Sequence, residues 1–598
     1  MKIFSPAANR RDGFMFLPFL MAKRRFVLKH SLLKTAVIAV LSIDALAQAP
    51  RPSLRPTTAV SPAKQVPATP PPMGWSSWNS FSNTIDSTIV MQQTKALVSS
   101  GLKDAGYQYI NIDEGWWLGT RDANGNILVD PKQWPALQEG ERSGDMANIV
   151  RFIHNAGLKA GIYTDAGESG CSFYGPDLGP PMPHTGSEGH YDQDFLQFAN
   201  WGFDYVKVDW CGGSRENLDP AVQYAEIASA MARAEKITGR PLYFSICDWG
   251  NNSPWTWAPG IAGITSDIWR TSGDIVAPIV ANTPNSSRRA NLNGVLTNFD
   301  QGIHPQAQHT GYYNDPDMMV LGMPGLSDAQ NRVHMSLWAI SGAPLIMGAD
   351  LTTLTESTRA ILTNPGVLAV DQDSLGLQAI KVDEPQPGLQ VWTKPLATAG
   401  AHAVLLLNRT TSPALISARW NAIGLDSASS ATVKDVWSGR ELGSYSSTYA
   451  VTVPAGDATL LIIRGTDANP MHYEAAASAN QLARGAAPQP CKFCVSGRSV
   501  KLAREESLTF QVQPIHKSTF VRIHYLNPSK TPVIGQLRVD EQLPTNILFP
   551  PTGAEDNIGI IIIEVESSQP EQYSTLSFSC LSPQRLFFDS ISVLPAAH

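Results

Sequence analysis

Two β-rich runs of the sequence end in aspartates that could work as a catalytic pair. Lys207 and Asp209 lie two residues apart, so strand alternation places both on one face, with Asp209 at the end of its strand. Arg270 and Asp274 end another run in the same way. Glycoside hydrolysis needs two carboxyl groups flanking the scissile bond, about 5 Å apart for retention and roughly 6.5–9.5 Å apart for inversion. The two aspartates are candidates for such a pair, although a lone strand-end aspartate is more often a helix cap or a hydrogen-bond acceptor for a loop.

A barrel of parallel strands would bring those two strand ends together. Between residues 70 and 380, β-rich runs recur and nearly all end in an acid or an aromatic residue; they are 73–78, 107–114, 159–165, 203–210, 242–249, 264–274, 317–322 and 344–350. Amphipathic helices alternate with them, and Asp145 can cap one helix that Gly157 can end. Eight such units predict an α/β fold, a (β/α)8 TIM barrel whose chemistry lies at the carboxyl ends of its strands.

The chain beyond the barrel changes to an all-β pattern. Apolar residues alternate with a period of two in runs at 390–394, 403–408, 432–437 and 458–464, which predicts an antiparallel β-sandwich. Further strands are expected at 508–512, 519–525 and 558–566. We therefore assign the catalytic barrel to residues 71–380, the antiparallel β-sandwich to 381–466 and a second, C-terminal β-sandwich module to 472–598.

The N-terminal region has the pattern of an export signal. Basic residues precede an apolar run at 35–41 and small residues follow near Ala47, which predicts a signal peptide over residues 1–47, with Met15 and Met21 as alternative starts. A membrane anchor is the other interpretation, but the run is far shorter than the roughly 20 residues that span a bilayer. A Pro/Ala-rich linker is expected at 48–70. We expect a secreted or periplasmic protein with no membrane contact after cleavage.

The composition of the 598 residues is that of a folded protein, with 43% hydrophobic residues, 16% charged residues and a net charge of −7. The sequence has no domain-sized basic surface, so nucleic acid is not an expected partner. Six cysteines allow disulfides but are too few to staple the fold. Cys491 and Cys494 form a CxxC pair, which without a second pair is weak evidence for zinc. We expect no metal and no cofactor.

Five motifs occur in this chain in the order in which one enzyme family carries them. They are the segments 71–78, 109–113, 207–211, 314–318 and 338–344, within a match that covers about residues 70–465. On these motifs the chain resembles glycoside hydrolase family 27, the melibiases, which comprise α-galactosidases and α-N-acetylgalactosaminidases. The resemblance implies that Asp209 is the nucleophile and Asp274 the acid/base of a double displacement.

The same resemblance implies a set of sugar-binding residues, namely Trp78, Asp113, Glu114, Tyr163, Lys207, Asp248, Arg270 and Asp317. The Lys207 ammonium, on the strand face of Asp209, should keep the nucleophile ionised while it donates to sugar hydroxyls. Trp78 is expected to be an aromatic platform for the sugar, whereas Trp75 is equally compatible with packing of the barrel.

The cysteines of the barrel also follow from the family resemblance. It implies a disulfide between Cys171 and Cys211 beside the nucleophile loop, and a buried free thiol at Cys247. Family members usually carry a further cysteine where this chain has Gly115, so the bridge made by that cysteine is expected to be missing.

The leading functional expectation is a retaining, exo-acting α-galactosidase that removes terminal α-linked galactose from oligo- or polysaccharides. The alternative is a β-L-arabinopyranosidase of the same family, because α-galactosidases typically have aspartate where this chain has Glu114. The extra methylene would push the carboxylate toward the galactose hydroxymethyl, a mismatch of roughly 1–3 kcal/mol. A carboxylate at Asp248 suits a 2-hydroxyl better than an acetamido group. A non-catalytic glycan-binding protein is the hypothesis of another class.

Residues 472–598 resemble a carbohydrate-binding module of family 35, through Tyr473, the pair Cys491 and Cys494, and the segment 588–593. Many such modules have a second acid near the position of Ala476, so the sequence leaves calcium and glycan binding open. A β-sandwich with a purely structural role is the other interpretation.

Overall fold

The structure is a computed structural model, and it describes residues 70–174, 184–258, 267–275, 289–308, 311–468, 470–492, 494, 496–515, 518–552, 558–568 and 572–593. The predicted signal peptide and all but the last residue of the predicted linker lie outside the described residues. Within the described part, no helix has both the length and the apolar character needed to cross a membrane.

The first part of the chain forms a closed parallel sheet. The strands in this part of the chain are β1 Met73–Ser76, β2 Tyr109–Asn111, β3 Trp117–Arg121, β4 Ile127–Val129, β5 Lys159–Asp165, β6 Tyr205–Asp209, β7 Tyr243–Cys247, β8 Asp267–Arg270, β9 Tyr312–Asp315 and β10 Leu345–Met347. The parallel sheet has the order β10-β1-β2-β5-β6-β7-β8-β9, while β3 and β4 form a separate antiparallel pair. A parallel bridge between Met319 and Met347 joins the two ends of this order. The sheet is therefore the predicted TIM-type barrel.

Helices follow the barrel strands along the chain. They are α1 Trp78–Phe81, α2 Ser87–Ser99, α3 Ala147–Asn155, α4 Cys171–Tyr174, α5 Tyr191–Trp201, α6 Cys211–Arg215, α7 Pro220–Thr238, α8 Leu292–Gln301, α9 Asp328–Ser341, α10 Glu356–Leu362 and α11 Pro365–Asp371. Short 3-10 helices lie at Ser82–Thr84, Pro254–Thr256, Pro305–Ala307 and Leu351–Thr353. Helix α3 is the helix predicted between Asp145 and Gly157, but its N-cap is Met146 and not Asp145. Asp145 lies one residue further out, where its Oδ1 accepts from the Ala147 N–H at 3.0 Å, and Gly157, with φ 72°, follows the C-cap Ala156.

The prediction of a seventh barrel strand over residues 317–322 is wrong. The strand is β9, Tyr312–Asp315, and it ends before Pro316 and Asp317. Asp317 has φ 106°, a backbone conformation that breaks strand pairing. Asp317 therefore lies just beyond the carboxyl end of its strand, at the edge of the barrel where chemistry is expected.

Two further β-structures complete the chain. The first has the strands β11 Ile380–Gln386, β12 Leu389–Pro395, β13 Ala401–Asn408, β14 Ala414–Arg419, β15 Ser430–Asp435, β16 Glu441–Ser446, β17 Thr448–Val453 and β18 Asp457–Arg464. They form an antiparallel six-stranded sheet, β11-β12-β13-β18-β15-β16, packed on the antiparallel pair β14-β17 around a core that includes Val404, Leu406 and Trp420.

The C-terminal module has the strands β19 Met471–Glu474, β20 Gln481–Ala483, β21 Ala487–Pro490, β22 Arg498–Leu502, β23 Ser507–Val512, β24 Ser518–Leu526, β25 Val533–Val539, β26 Thr545–Phe549, β27 Gly559–Glu566, β28 Ser574–Cys580 and β29 Leu586–Val593. One sheet has the order β21-β22-β29-β24-β27, with β19 paired to β29, and the other has the order β20-β23-β28-β25-β26. Phe520 and Ile562 of this module share a buried cluster with Leu377. The module therefore packs directly on the preceding part of the protein.

Candidate active site

The eight barrel strands enclose a small cavity, about 30 Å³ in volume, at the level where their polar residues begin. Every strand, or the residues directly after it, contributes to its wall, which is formed by Ser76, Asn111, Ile112, Asp113, Ile162, Tyr205, Lys207, Ser245, Arg270, Asp315, Met318 and Ile346. Two cations, Lys207 and Arg270, line this cavity together with carboxyl groups. The barrel axis is thus an ionic centre at this level.

Lys207 and Asp209 lie on one face of β6, as strand alternation predicts. The Lys207 Nζ is 3.0 Å from Asp113 Oδ2 and 3.8 Å from Asp209 Oδ2. Ser76 Oγ also donates to Asp113 Oδ2, at 3.3 Å. Lys207 therefore connects the end of β2 to the end of β6.

Burial and the lysine have opposite effects on Asp209. Burial raises the pKa of Asp209 to about 6, with smaller upward contributions from Asp113 and Asp274, while Lys207 lowers it. The lysine itself stays protonated, because its acidic neighbours, Asp113 first, outweigh burial and raise its pKa. The expectation that Lys207 favours the ionised nucleophile is correct in sign, but burial is the larger effect.

Arg270, at the end of β8, is the second cation of the centre. Its Nη2 donates to Asp274 Oδ1 at 3.0 Å and to the Ser272 carbonyl at 3.0 Å, and its Nη1 lies 3.0 Å from Asp317 Oδ1. Burial raises the pKa of Asp317 to about 7, although Arg270 acts in the opposite direction. Asp317 Oδ2 accepts from the Ile275 N–H at 2.8 Å, which ties the loop after β9 to the loop that carries Asp274.

Glu114 directs its carboxylate at the loop that follows β5. Its Oε1 accepts from the backbone N–H of Ser172 at 2.9 Å and from the Ser172 hydroxyl at 2.7 Å, and its Oε2 lies 3.1 Å from the same backbone N. Burial raises the pKa of Glu114 to about 8, and Asp209 and Asp113 add to the rise, while the Ser172 hydrogen bonds act against it. The carboxyl group is therefore placed by Ser172 rather than by either cation.

Gly115 has a structural reason to be glycine. It has φ 106°, and a Cβ at this position would lie 2.5 Å from the backbone oxygen of Asn83. A cysteine, like any residue with a Cβ, would clash with backbone at this position.

The expected disulfide between Cys171 and Cys211 is present, and Cys247 is a buried free thiol. The disulfide joins the loop after β5 to the chain directly after β6, two residues beyond Asp209. Cys247 Sγ accepts from Arg270 Nη1 at 3.8 Å, and burial raises the pKa of this thiol.

The remaining predicted residues differ in how they relate to the ionic centre. The Tyr163 ring lies under Lys207 Nζ at 5.2 Å, and its hydroxyl donates to Cys171 Sγ at 3.5 Å. Trp78 begins α1, directly after β1, and is half-buried. The carboxylate of Asp248 accepts from the backbone N–H groups of Gly250 and Asn252, so it stabilises its own loop.

Two acids of the site were not among the predicted residues. Asp165 pairs with Asp209 in the β5–β6 register, and its carboxylate accepts from the backbone N–H groups of Gly167, Cys211 and Gly212 at 2.8–2.9 Å. It thereby holds the loop after the nucleophile strand. Asp315 ends β9 in the cavity wall, where burial raises its pKa. Both acids end barrel strands, which is the signal that could have identified them.

Neither group of cysteines offers thiolates for a metal. Among the described residues, Asp165, Cys171 and Cys211 come close enough together to hold an ion, but the two sulfurs are bonded to each other. Cys491 and Cys494 are likewise joined in a disulfide. The CxxC pair is therefore a cross-link at the turn between β21 and β22.

Comparison with known proteins gives matches over both the barrel and the sandwich. The family model described as alpha galactosidase A matches residues 69–373, and the model for the alpha galactosidase C-terminal beta sandwich domain matches residues 386–463. A probable alpha-galactosidase of Dictyostelium discoideum is 37% identical over 381 residues, 63% of this chain and 88% of that protein. Alpha-galactosidase A of Cellvibrio japonicus is 42% identical over 342 residues, 57% of this chain and 76% of that protein.

A solved structure shares the same architecture. The crystal structure of alpha-galactosidase I from Mortierella vinacea superimposes with a TM-score of 0.56 at 31% sequence identity. The match covers 67% of this chain and 98% of that one.

Proposed function

The chain belongs to the alpha galactosidase A family, and from this membership we propose that it is a retaining, exo-acting α-galactosidase that releases terminal α-linked galactose from oligo- or polysaccharides. One observation carries the proposal. Two carboxyl groups at the catalytic end of the barrel, Asp209 and Asp274, each lie near a buried cation, Lys207 at 3.8 Å and Arg270 at 3.0 Å.

In the proposed first step, Asp209 attacks the anomeric carbon while the bond from that carbon to the leaving oxygen breaks. Asp274 gives its proton to the leaving oxygen. In the second step Asp274 takes a proton from water, the water oxygen attacks the anomeric carbon, and Asp209 is released. Two displacements at one carbon return the sugar to its starting configuration. The Asp274 side chain is 28% exposed and that of Asp209 only 6%. The greater exposure of Asp274 suits its proposed role, because this residue takes a proton from water in the second step.

The ionisation of Asp209 supports its role as nucleophile above mildly acidic pH. With a pKa of about 6, the carboxylate is ionised at neutral pH and is lost as the pH falls through that value. Lys207 favours the ionised form, and a buried carboxylate without full hydration is a stronger nucleophile than a solvated one.

We assign sugar recognition to the residues around these two acids. Asp113, Lys207 and Arg270 are charged groups that can hold sugar hydroxyls, and Trp78 is proposed as the apolar platform. Glu114, Tyr163, Asp248 and Asp317 complete the set. The Asp248 carboxylate accepts two backbone hydrogen bonds from its own loop. We propose that its remaining lone pairs accept a hydrogen bond from the 2-hydroxyl of the sugar.

The arabinopyranosidase alternative depends on Glu114 alone. Its argument requires the carboxylate to occupy the space of the galactose hydroxymethyl, whereas the carboxylate bonds Ser172. The relatives at 37% and 42% identity are a probable alpha-galactosidase and an alpha-galactosidase A, which supports galactose as the proposed sugar. A non-catalytic glycan-binding barrel is disfavoured because both acids and both cations are present.

The proposal is tested with the purified protein and two substrates, p-nitrophenyl α-galactoside and p-nitrophenyl β-L-arabinopyranoside. We expect turnover of the galactoside with the higher kcat/KM, and its loss in Asp209→Ala. A higher kcat/KM for the arabinopyranoside would show that L-arabinopyranose, and not galactose, is the preferred sugar. Absence of turnover on both would remove the proposed activity.

We also propose that the chain is exported and that its C-terminal module contributes to carbohydrate binding. The export proposal rests on the sequence of residues 1–47, and the module proposal rests on its β-sandwich form and its likeness to family 35 modules. Retention of the full chain on insoluble galactomannan, with free galactose added to occupy the catalytic pocket, tests the module. If added galactose abolished retention, the C-terminal module would have only a structural role.

A further inference from the structure

The Glu114 carboxylate lies in a buried site, which we call its seat, formed by Gly170 and Ser172 in the segment after β5. Glu114 and Ser172 are each only 1% exposed, and Ser172 donates both its backbone N–H and its hydroxyl to the carboxylate. The two residues are 58 positions apart in the chain. A buried carboxyl group that receives several hydrogen bonds from one buried residue has its orientation fixed.

Gly170 shapes the other side of this seat. A Cβ at position 170 would lie 2.4 Å from Glu114 Oε1 and 3.1 Å from the Trp117 ring. The carboxylate therefore fills the space that a side chain at position 170 would need. A glutamate reaches this space because of its extra methylene.

The seat is attached to the catalytic strand by a covalent link. Ser172 follows Cys171 directly, and Cys171 is bonded to Cys211, which lies two residues after Asp209. The position of Ser172 is thus fixed relative to the nucleophile loop, although no cysteine bridge stands at Gly115.

From these contacts we propose that Ser172 is a specificity-determining positioning residue, which holds the Glu114 carboxylate in its seat and so leaves room for the galactose hydroxymethyl. The inference rests on the proposed α-galactosidase function and explains how a glutamate is compatible with it. Without the hydroxyl of Ser172, the Glu114 side chain keeps only its hydrogen bonds to the backbone N–H of residue 172 and turns toward the sugar more readily. Galactose, which carries a hydroxymethyl group at C5, should then be penalised, whereas L-arabinopyranose, which has none, should not.

The first test is Ser172→Ala assayed on the two p-nitrophenyl sugars. We expect kcat/KM for the galactoside to fall by about tenfold or more, mainly through KM, while the arabinopyranoside value changes by less than about threefold. Ser169→Ala is the matched control, because Ser169 lies in the same loop and is buried, but its hydroxyl accepts from the His184 N–H. That control should leave the ratio of the two substrates unchanged.

A double-mutant cycle separates positioning from general damage to the loop. In the Glu114→Asp background the shorter carboxylate cannot crowd the hydroxymethyl, so adding Ser172→Ala should no longer lower the ratio. The effect of Ser172→Ala is read within each background, as the change in ratio between Glu114→Asp and the double variant compared with that between the parent and Ser172→Ala. A loop that is merely damaged would lose the same factor in both backgrounds.

Gly170→Ala gives an independent perturbation, which also serves if Ser172→Ala folds poorly. The added Cβ displaces the carboxylate and leaves Ser172 intact, so the ratio should fall in the same direction, and Glu114→Asp should restore it. If the parent hydrolyses the galactoside and the ratio is unmoved in Ser172→Ala and in Gly170→Ala, the inference is wrong while the proposed function stands. If the parent does not hydrolyse the galactoside, the proposed function itself fails.

Discussion

Replacing Lys207 by methionine should move the acid limb of the activity profile to higher pH. The Lys207 Nζ lies 3.8 Å from Asp209 Oδ2, and both side chains are largely buried, at 17% and 6% exposure. At an effective dielectric constant of about 20, a charge pair at this distance is worth about 4 kcal/mol, which sets an upper limit near three pH units. Neighbouring opposite charges usually lower a carboxyl pKa by about 1–3 units. Loss of Lys207 should therefore raise the pKa of Asp209 above its present value of about 6.

The sign of the effect follows from the ionised nucleophile. Activity needs the carboxylate, so kcat/KM falls as the pH drops through the pKa of Asp209 in the free enzyme. At pH 6 about half of the parent is ionised. A rise by about 1–3 pH units would lower kcat/KM at that pH by about 5-fold to about 500-fold. The loss should shrink as the pH is raised toward 9.

The assay is kcat/KM on p-nitrophenyl α-galactoside from pH 4 to 9, with the released phenol measured after quenching in base. Lys159→Met is the matched control, because Lys159 begins β5 at the opposite end of the barrel and contacts Tyr109. Its acid limb should coincide with that of the parent. A uniform loss in Lys207→Met with an unmoved acid limb would show that Lys207 binds sugar without acting on Asp209.

Three further changes should have distinct outcomes. Asp209→Gly should lose nearly all activity and regain part of it with azide, since the small anion can enter the vacated space; an unaided, active variant would place the nucleophile elsewhere. Asp274→Ala should slow substrates with poor leaving groups far more than p-nitrophenyl substrates, and equal losses on both would argue against its role as the acid. Gly115→Ala should lower the thermal midpoint by more than Gly101→Ala, because both glycines have positive φ but only at Gly115 would the added Cβ meet backbone, at Asn83. Equal shifts would mean that the loop relaxes around the clash.

The barrel could be predicted because strand runs and helix signals recur at regular intervals. Residues 159–165 are predicted and observed as the same strand, Lys159–Asp165. The predicted position of the seventh strand is wrong because Met319, Val320 and Leu321 are apolar and buried, yet of these three only Met319 pairs with the sheet, through an isolated bridge to Met347. A short apolar run in the core has the same pattern whether or not it pairs with a neighbouring strand.

Contacts between segments that are distant in the sequence could not be predicted from the sequence. Ser172 lies in the short helix α4 and contacts Glu114 across 58 residues of sequence, and neither spacing nor residue type indicates this pair. The clash that requires glycine at position 115 likewise depends on where Asn83 lies in space. The sequence predicts that Lys207 lowers the pKa of Asp209. It does not predict that burial raises this pKa by more, because burial is known only from the fold.

The configuration of the first product tests the central claim most directly. Proton NMR of p-nitrophenyl α-galactoside during the first minutes of hydrolysis by the purified protein resolves the two anomers of galactose before they equilibrate. A double displacement through Asp209 and Asp274 predicts that α-galactose forms first and that the β-anomer follows only by mutarotation. Initial formation of β-galactose would show a single displacement by water and would contradict the assignment of Asp209 as nucleophile.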